Sequence, residues 1–275
     1  MPMLSAAVLQ LRASNEPAMA FEELATHTRS AAASGAKLIL TPEGSNFLER
    51  DSSKFAEVCP AENDAKTIGQ YQALAKELGV ILIVGSALFK RTNGKAANRS
   101  LVINESGELI SQYDKIHLFD VNLGPDMELQ ESKTYLAGNE AIIAKTSVAD
   151  IGLTICYDLR FPHLYRALAQ CGAQIITVPA AFTVPTGKAH WEVLLRARAI
   201  ETGAFILASA QAGTHDDGRQ TYGHSMIVSP WGEIIEKMDG EEIGFRIAEI
   251  DLGKVVEARH KIPAWSLNIE FDGPW

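Results

Sequence analysis

Apolar residues follow two rhythms along this chain, and the two alternate. Short runs such as LSAAVLQL (4–11), KLILT (37–41) and VILIVGSALF (80–89) are nearly continuous in apolar character. They read as strands buried on both faces. Between them lie stretches with the helical period. Residues 17–35 place Phe21, Leu24, Ala25 and Thr28 on one stripe, open with Pro17 and stop at Gly35. Residues 63–79 predict a second helix ending at Gly79. ANRSLVINESGELISQYDK (97–115) predicts a hairpin turning at Ser106-Gly107.

The second half repeats the theme. DIGLTIC (150–156) and AQIITVP (173–179) read as strands around a helix over 161–171, with Phe161, Leu164, Tyr165 and Leu168 on its stripe. A helix over 187–203 is predicted to bury Val193, Leu194, Ala197 and Ile200. AFILASAQ (204–211), HSMIVSP (224–230) and EEIGFRIAEID (241–251) read as strands, and a last helix starts at Asp251. Strands slightly outnumber helices, and many adjoin without a helix between them. That favours two stacked sheets with helices outside over one doubly wound sheet. No linker or repeat interrupts the pattern, so residues 1–275 read as a single α/β domain.

Composition narrows the class. Apolar residues make up 47% of the chain and charged residues 21%, as in an ordinary globular protein with its own core. The formal net charge of −9 argues against a nucleic-acid partner, whose phosphates call for clustered Lys and Arg. The three cysteines, Cys59, Cys156 and Cys171, are odd in number and widely spaced, which speaks against a disulfide framework. There is no CxxC and no HExxH, so a zinc site has little support. The N-terminus lacks the pattern of a signal peptide, and no stretch reaches the length of a membrane span. The expectation is a cytoplasmic protein, where a lone thiol stays reduced.

Three polar residues share one context. Glu43 follows the strand KLILTP, Lys115 follows ELISQYD, and Cys156 closes DIGLTI. In α/β folds the ends of strands bring distant residues to one edge. Cys156 lies between a strand and a helix opening near Phe161-Pro162, a bend that presents a nucleophile in many hydrolases. The N–H groups at such a helix start are expected to lower the thiol pKa. The Tyr157 N–H is a candidate donor to an oxyanion. The alternative is an inert buried cysteine. No histidine stands in a suggestive place beside Cys156; His163 is on the following helix. Glu43 is a candidate base and Lys115 a candidate source of positive charge, each with a solvated surface charge as its alternative. PTGKAH lacks the upstream glycine of a phosphate loop, and YGHSMIV is not a GxSxG elbow.

TPEGSNF around Glu43, YDKIHLFD around Lys115 and ICYDLRFP around Cys156 resemble, in order and separation, the signature segments of the nitrilase superfamily of carbon–nitrogen hydrolases. The resemblance runs from residue 4 to about residue 263. It implies a four-layer αββα sandwich, a Glu43–Lys115–Cys156 triad, no cofactor, and pairing through outer helices into homodimers or larger homo-oligomers. It implies a bracing role for Glu131 in LQESKT, a plain loop carboxylate by context alone. It likewise implies that Arg160 holds a substrate carboxylate, for which a guanidinium fork is suited. Phe182 and Thr186 in PAAFTVPTGKAHWE match pocket-lining positions, although Phe182 also fits as core.

The run TGKAHWEVLLRARAIETGAFILASAQAGTH with YGHSMIVSPWGE looks most like the branch of that family that hydrolyses deaminated glutathione to 2-oxoglutarate and cysteinylglycine. The sister omega-amidase branch, acting on small monoamides such as 2-oxoglutaramate, shares AHWE and GHS but typically differs at AQAGTH (210–215). Nitrile hydrolysis and a non-catalytic scaffold are further alternatives. The tail AWSLNIEFDGPW departs from the family, whose members tend to end in a basic segment, and this puts contacts made by the tail in doubt.

Overall fold

The computed structural model describes residues 3–92, 94–124 and 128–273. The chain begins with β1 (Met3–Leu11), α1 (Pro17–Ala33), β2 (Leu38–Leu40), α2 (Ser52–Val58), α3 (Ala65–Leu78) and β3 (Ile81–Lys90). A hairpin of β4 (Ala96–Ile103) and β5 (Leu109–Asp114) follows, then a small pair, β6 (Asp120–Asn122) and β7 (Glu128–Gln130). Next come β8 (Ile143–Lys145), β9 (Asp150–Leu153), α4 (Pro162–Gln170), β10 (Ile175–Thr177), α5 (Val184–Thr202) and β11 (Phe205–Ala208). The chain closes with β12 (Ala210–Thr214), β13 (Gln220–Tyr222), β14 (Met226–Val228), β15 (Ile234–Lys237), β16 (Gly244–Asp251) and α6 (Gly253–Lys261).

One sheet has the order β13-β12-β1-β2-β3-β4-β5, with β16 antiparallel along β1. The other has the order β15-β14-β11-β10-β9-β8. The period-2 alternation of strand side chains divides β1 between two cores. Leu4, Ala6 and Val8 pack with Ile151, Leu153, Ile175 and Phe205 of the other sheet. Ala7, Leu9 and Leu11 pack under Leu24 and Ala25 of α1 and Tyr71 and Leu74 of α3. Leu164, Tyr165 and Leu168 of α4 and Trp191 and Leu195 of α5 join the core of the second sheet. The result is the αββα sandwich. The hairpin turns where the pattern places it: Gly107 has φ +86°, and a Cβ there would stand 2.7 Å from the Gln72 carbonyl oxygen.

Two expectations need correction. AFILASAQ is not one strand: the chain changes sheets at Ser209, so β11 belongs to the second sheet and β12 to the first. The Ser209 hydroxyl donates to the carbonyls of Leu9 and Leu40, which fastens the crossover. The buried stripe of α5 is also rotated. Val193 and Ile200 face outward, 69% and 55% exposed, while Trp191, Leu195, Arg198 and Thr202 are buried. Charged residues (Lys188, Glu192, Arg196, Arg198 and Glu201) are interleaved with the apolar ones around this helix, so its period does not choose a face. Partners decide: the Trp191 indole donates to the His224 carbonyl (2.9 Å), and the Arg198 guanidinium donates to the Leu159 carbonyl (3.0 Å).

The tail packs on α4 and α6. Arg166 donates to the carbonyl of Ala264 (3.0 Å) and to Asn268 Oδ1 (2.9 Å), and the Arg259 guanidinium sits 4.6 Å from the Trp265 ring centre. Leu267, Ile269 and Phe271 are exposed.

Candidate active site

Four segment ends deliver the candidate side chains to one place. Glu43 lies in the loop after β2, tied to the middle of β3 by the Gly44 N–H on Ser86 Oγ (2.9 Å) and the Ser45 N–H on the Ser86 carbonyl (2.7 Å). Lys115 follows β5, its N–H donating to the Asn98 carbonyl of β4 (3.0 Å). Glu131 opens the 3-10 turn Glu131–Lys133 after β7. Cys156 opens a second 3-10 turn, Cys156–Arg160, since β9 has already ended at Leu153.

Lys115, 2% exposed, is the hub. Its ammonium donates to Glu43 Oε1 (2.9 Å) and to both oxygens of Glu131 (2.9 Å each). Glu131 also accepts the Phe119 N–H (2.5 Å). Glu43 accepts from Asn98 Nδ2 (2.8 Å) and the Ala181 N–H (2.9 Å), and the Cys156 thiol is among the groups that lower its pKa. Cys156 is buried in the left-handed region, with φ +50°. A non-glycine residue there is uncommon and is held only where its surroundings dictate it. Its own N–H donates to the Pro179 carbonyl (2.8 Å).

One cation between two carboxylates sets the protonation states. Burial pushes Glu43 up, but the Lys115 charge and hydrogen bonds from Cys156, Lys115 and Asn98 outweigh it and hold Glu43 below its ordinary value. Burial, joined by repulsion from Glu43, leaves Glu131 raised despite Lys115. Burial works against the charged Lys115, yet Glu131 and Glu43 together carry it well above 10.5. Burial and the Glu43 charge push the Cys156 thiol well above 9.0, against the pull of Lys115. The expected lowering by a helix start is therefore reversed, because a dry site beside a carboxylate penalises the thiolate more. At neutral pH the pair is a neutral thiol facing an ionised carboxylate that can accept its proton.

Arg160 lies past Cys156 on the same turn. Its guanidinium is 5.9 Å from the Tyr157 ring centre and 5.5 Å from that of Phe182, and Nη1 lies 3.2 Å from His190 Nδ1. Tyr157 also packs edge-on against Phe119 and Phe161. Phe182 is buried against Trp191, with 4.8 Å between ring centres. Thr186, in the first turn of α5, bonds locally, its hydroxyl 2.8 Å from Thr183 Oγ1. The fold thus gathers Glu43, Lys115, Glu131 and Cys156 into one buried cluster and sets Tyr157, Arg160 and Phe182 in contact beside it.

Sequence reasoning missed two groups that bind Glu43. The Ala181 N–H is a backbone donor with no side-chain signature. Asn98 left a signal that went unread, a polar residue inside the buried strand AANRSLVI, where an amide without a partner is costly. Asn98→Ala removes a donor to a carboxylate, about 1.5–3 kcal/mol in a buried site. The acid limb of kcat/KM is then expected to move up by about one pH unit, read from a pH–rate profile; an unmoved limb would deny Asn98 this role.

Comparison with known proteins agrees with the layout. The model of the carbon–nitrogen hydrolase family matches residues 5–260. The chain belongs to the carbon–nitrogen hydrolase family. This carbon–nitrogen hydrolase is 39% identical over 234 residues to a deaminated glutathione amidase of Synechocystis, covering 84% of this chain and 85% of the relative. It is similar to the C. elegans NitFhit protein (TM-score 0.90, 33% identity, 97% of this chain), of which it spans 65%. It is also similar to Saccharomyces cerevisiae Nit3, a member of branch 10 of the nitrilase superfamily (TM-score 0.83, 28% identity, 95% of this chain and 94% of that one). Among the described residues of the hydrolase, no helix is long and apolar enough to cross a membrane. Among the same residues, no group of three or more His, Cys, Asp or Glu is arranged to hold a metal ion.

Proposed function

We propose that this chain is an amidase of deaminated glutathione. Cys156 attacks the amide carbon, Glu43 takes the thiol proton, and Lys115 with the Tyr157 N–H stabilises the oxyanion. Glu43 then returns the proton to the leaving amine as the C–N bond breaks, releasing cysteinylglycine and leaving a thioester. Water, deprotonated by Glu43, hydrolyses the thioester to 2-oxoglutarate. The observation that carries the reading is the buried contact of Glu43 with both Lys115 and Cys156. Arg160 beside Tyr157 and Phe182 offers a guanidinium to the substrate carboxylate.

The omega-amidase reaction on 2-oxoglutaramate uses the same machinery and the same carboxylate clamp. The relatives named as deaminated glutathione amidases favour the larger substrate. Rates on the two amides, measured side by side, are expected to favour deaminated glutathione by at least about tenfold in kcat/KM, the yield of about 1.4 kcal/mol of contact with the leaving dipeptide. A preference for 2-oxoglutaramate would reassign the substrate. We further infer a single-domain cytoplasmic enzyme that forms a homodimer or larger homo-oligomer through the outer face of α5. Support comes from Val193 and Ile200, apolar and exposed on that helix.

A further inference from the structure

We propose that Asp158 is a positioning residue that locks the Cys156 turn against the Lys115 segment; the inference rests on the hydrolase reading above. Asp158 is fully buried. Removing a carboxylate from water costs several kcal/mol, so this one must collect donors to compensate. It collects them from the two chain segments that present the candidate nucleophile and the candidate cation.

Oδ2 accepts the Ile155 N–H (2.8 Å), directly before Cys156, while the Asp158 N–H donates to the Ile155 carbonyl (3.1 Å). This reciprocal pair closes the turn on which Cys156 adopts φ +50°. The same Oδ2 accepts the Tyr113 hydroxyl (2.6 Å), two residues before Lys115. Oδ1 accepts both the backbone N–H (3.0 Å) and the ring Nδ1–H (2.7 Å) of His117, two residues after Lys115. The His117 ring stacks on Phe161, 3.6 Å between centres, at the end of the same turn. One carboxylate therefore brackets Lys115 from both sides and holds Ile155 at once. Glu43 joins Lys115 and Cys156 at the reacting atoms; Asp158 joins their backbones from behind.

An asparagine cannot substitute. The partners are donors, and two of them are backbone N–H groups, one at each oxygen. An amide must turn its NH2 toward either Ile155 or His117 and lose that bond. A shift of about 1 Å between nucleophile and partner can cost about a hundredfold in rate.

The test measures kcat and KM on deaminated glutathione for Asp158→Asn, Tyr113→Phe and the double variant, each corrected to folded protein by near-UV circular dichroism. Asp158→Asn is expected to lower kcat about a hundredfold with KM within about twofold. Tyr113→Phe should lower kcat several-fold alone and by less than about twofold in the Asp158→Asn background, since both remove the same link. A kcat per folded molecule within twofold of the parent in Asp158→Asn, a loss confined to KM, or fully multiplicative effects would overturn the proposal. Should Asp158→Asn not fold, Tyr113→Phe decides: an unchanged kcat overturns it and a lowered kcat with steady KM supports it. Cys156→Ala, run alongside, separates the two levels. Turnover in that variant sinks the hydrolase reading itself, whereas an inert Cys156→Ala with a fully active Asp158→Asn sinks only this inference.

Discussion

Replacing Lys115 with methionine is expected to stop turnover, by at least about a hundredfold, and to cost about 3–5 kcal/mol of stability at neutral pH. Methionine preserves the unbranched stem, so the change is the charge. Without the ammonium, Glu43 and Glu131 share a dry site with no cation between them. Both carboxylates then hold protons to higher pH, and a protonated Glu43 cannot accept the Cys156 proton. The oxyanion donor is lost in the same step.

The pH dependence carries a sign. In the parent chain the depressed Glu43 contributes stability that is present above its ordinary value of 4.5 and lost as pH falls through its folded value. The raised Lys115 contributes stability that is fully present below 10.5 and lost as pH rises through its folded value. The raised Glu131 has the opposite slope: its contribution is greatest below 4.5 and falls as pH rises to its folded value. In Lys115→Met the carboxylates are raised, so the folded state binds more protons than the unfolded one and stability falls as pH rises. The melting temperature of the variant should therefore increase from about pH 8 to about pH 5 by more than that of the parent, in which Glu131 but not Glu43 is raised. Thermal melts across that range check this. A variant that melts like the parent at every pH, or keeps its kcat, would remove Lys115 from the centre of the account.

Cys156→Ala is expected to abolish turnover altogether with the fold retained. The thiol is a small buried group, and its loss leaves only a minor void. Glu43 would keep Lys115, Asn98 and the Ala181 N–H, so the cluster remains satisfied. Cys156→Ser is expected to be nearly as slow. A hydroxyl is a weaker nucleophile, and a carboxylate held below 4.5 is a poor base for it. Circular dichroism that matches the parent, together with no product from deaminated glutathione, would meet the expectation; measurable turnover in the alanine variant would defeat it.

The layers of this fold were legible because strand and helix rhythms are strong where an element has one clear face. β1, β2 and β3 are near-continuous apolar runs, the β4–β5 hairpin is marked by its Ser106-Gly107 turn, and α1 and α3 carry clean stripes. Legibility failed where partners, not period, decide. The rotation of α5 follows from the Trp191 indole and the buried Arg198, and no stripe announces either. The sheet change at Ser209 depends on two carbonyls far away in sequence. Short pieces such as α2 and β6–β7 fall below the length at which a period can be read.

The candidate site divides in the same way. Glu43, Lys115 and Cys156 each follow a strand, and strand ends converge. Glu131 and Arg160 came only through the family resemblance, because a loop carboxylate and an arginine near a helix start have common alternatives. Asn98, Ala181 and Asp158 act through hydrogen bonds whose partners only the tertiary structure brings near. The chain also had no way to announce the protonation state of its thiol. A strand-to-helix bend suggests a lowered pKa, and the buried carboxylate opposite reverses it.

The central claim is that Cys156 forms a thioester with the acyl half of an amide. The most direct measurement is peptide-resolved mass spectrometry of enzyme quenched in acid during turnover of deaminated glutathione. The account predicts a 2-oxoglutaryl adduct on the peptide carrying Cys156, absent from Cys156→Ala and from Cys59 and Cys171. Turnover with no adduct at Cys156, or an adduct on another residue that persists in Cys156→Ala, would contradict it.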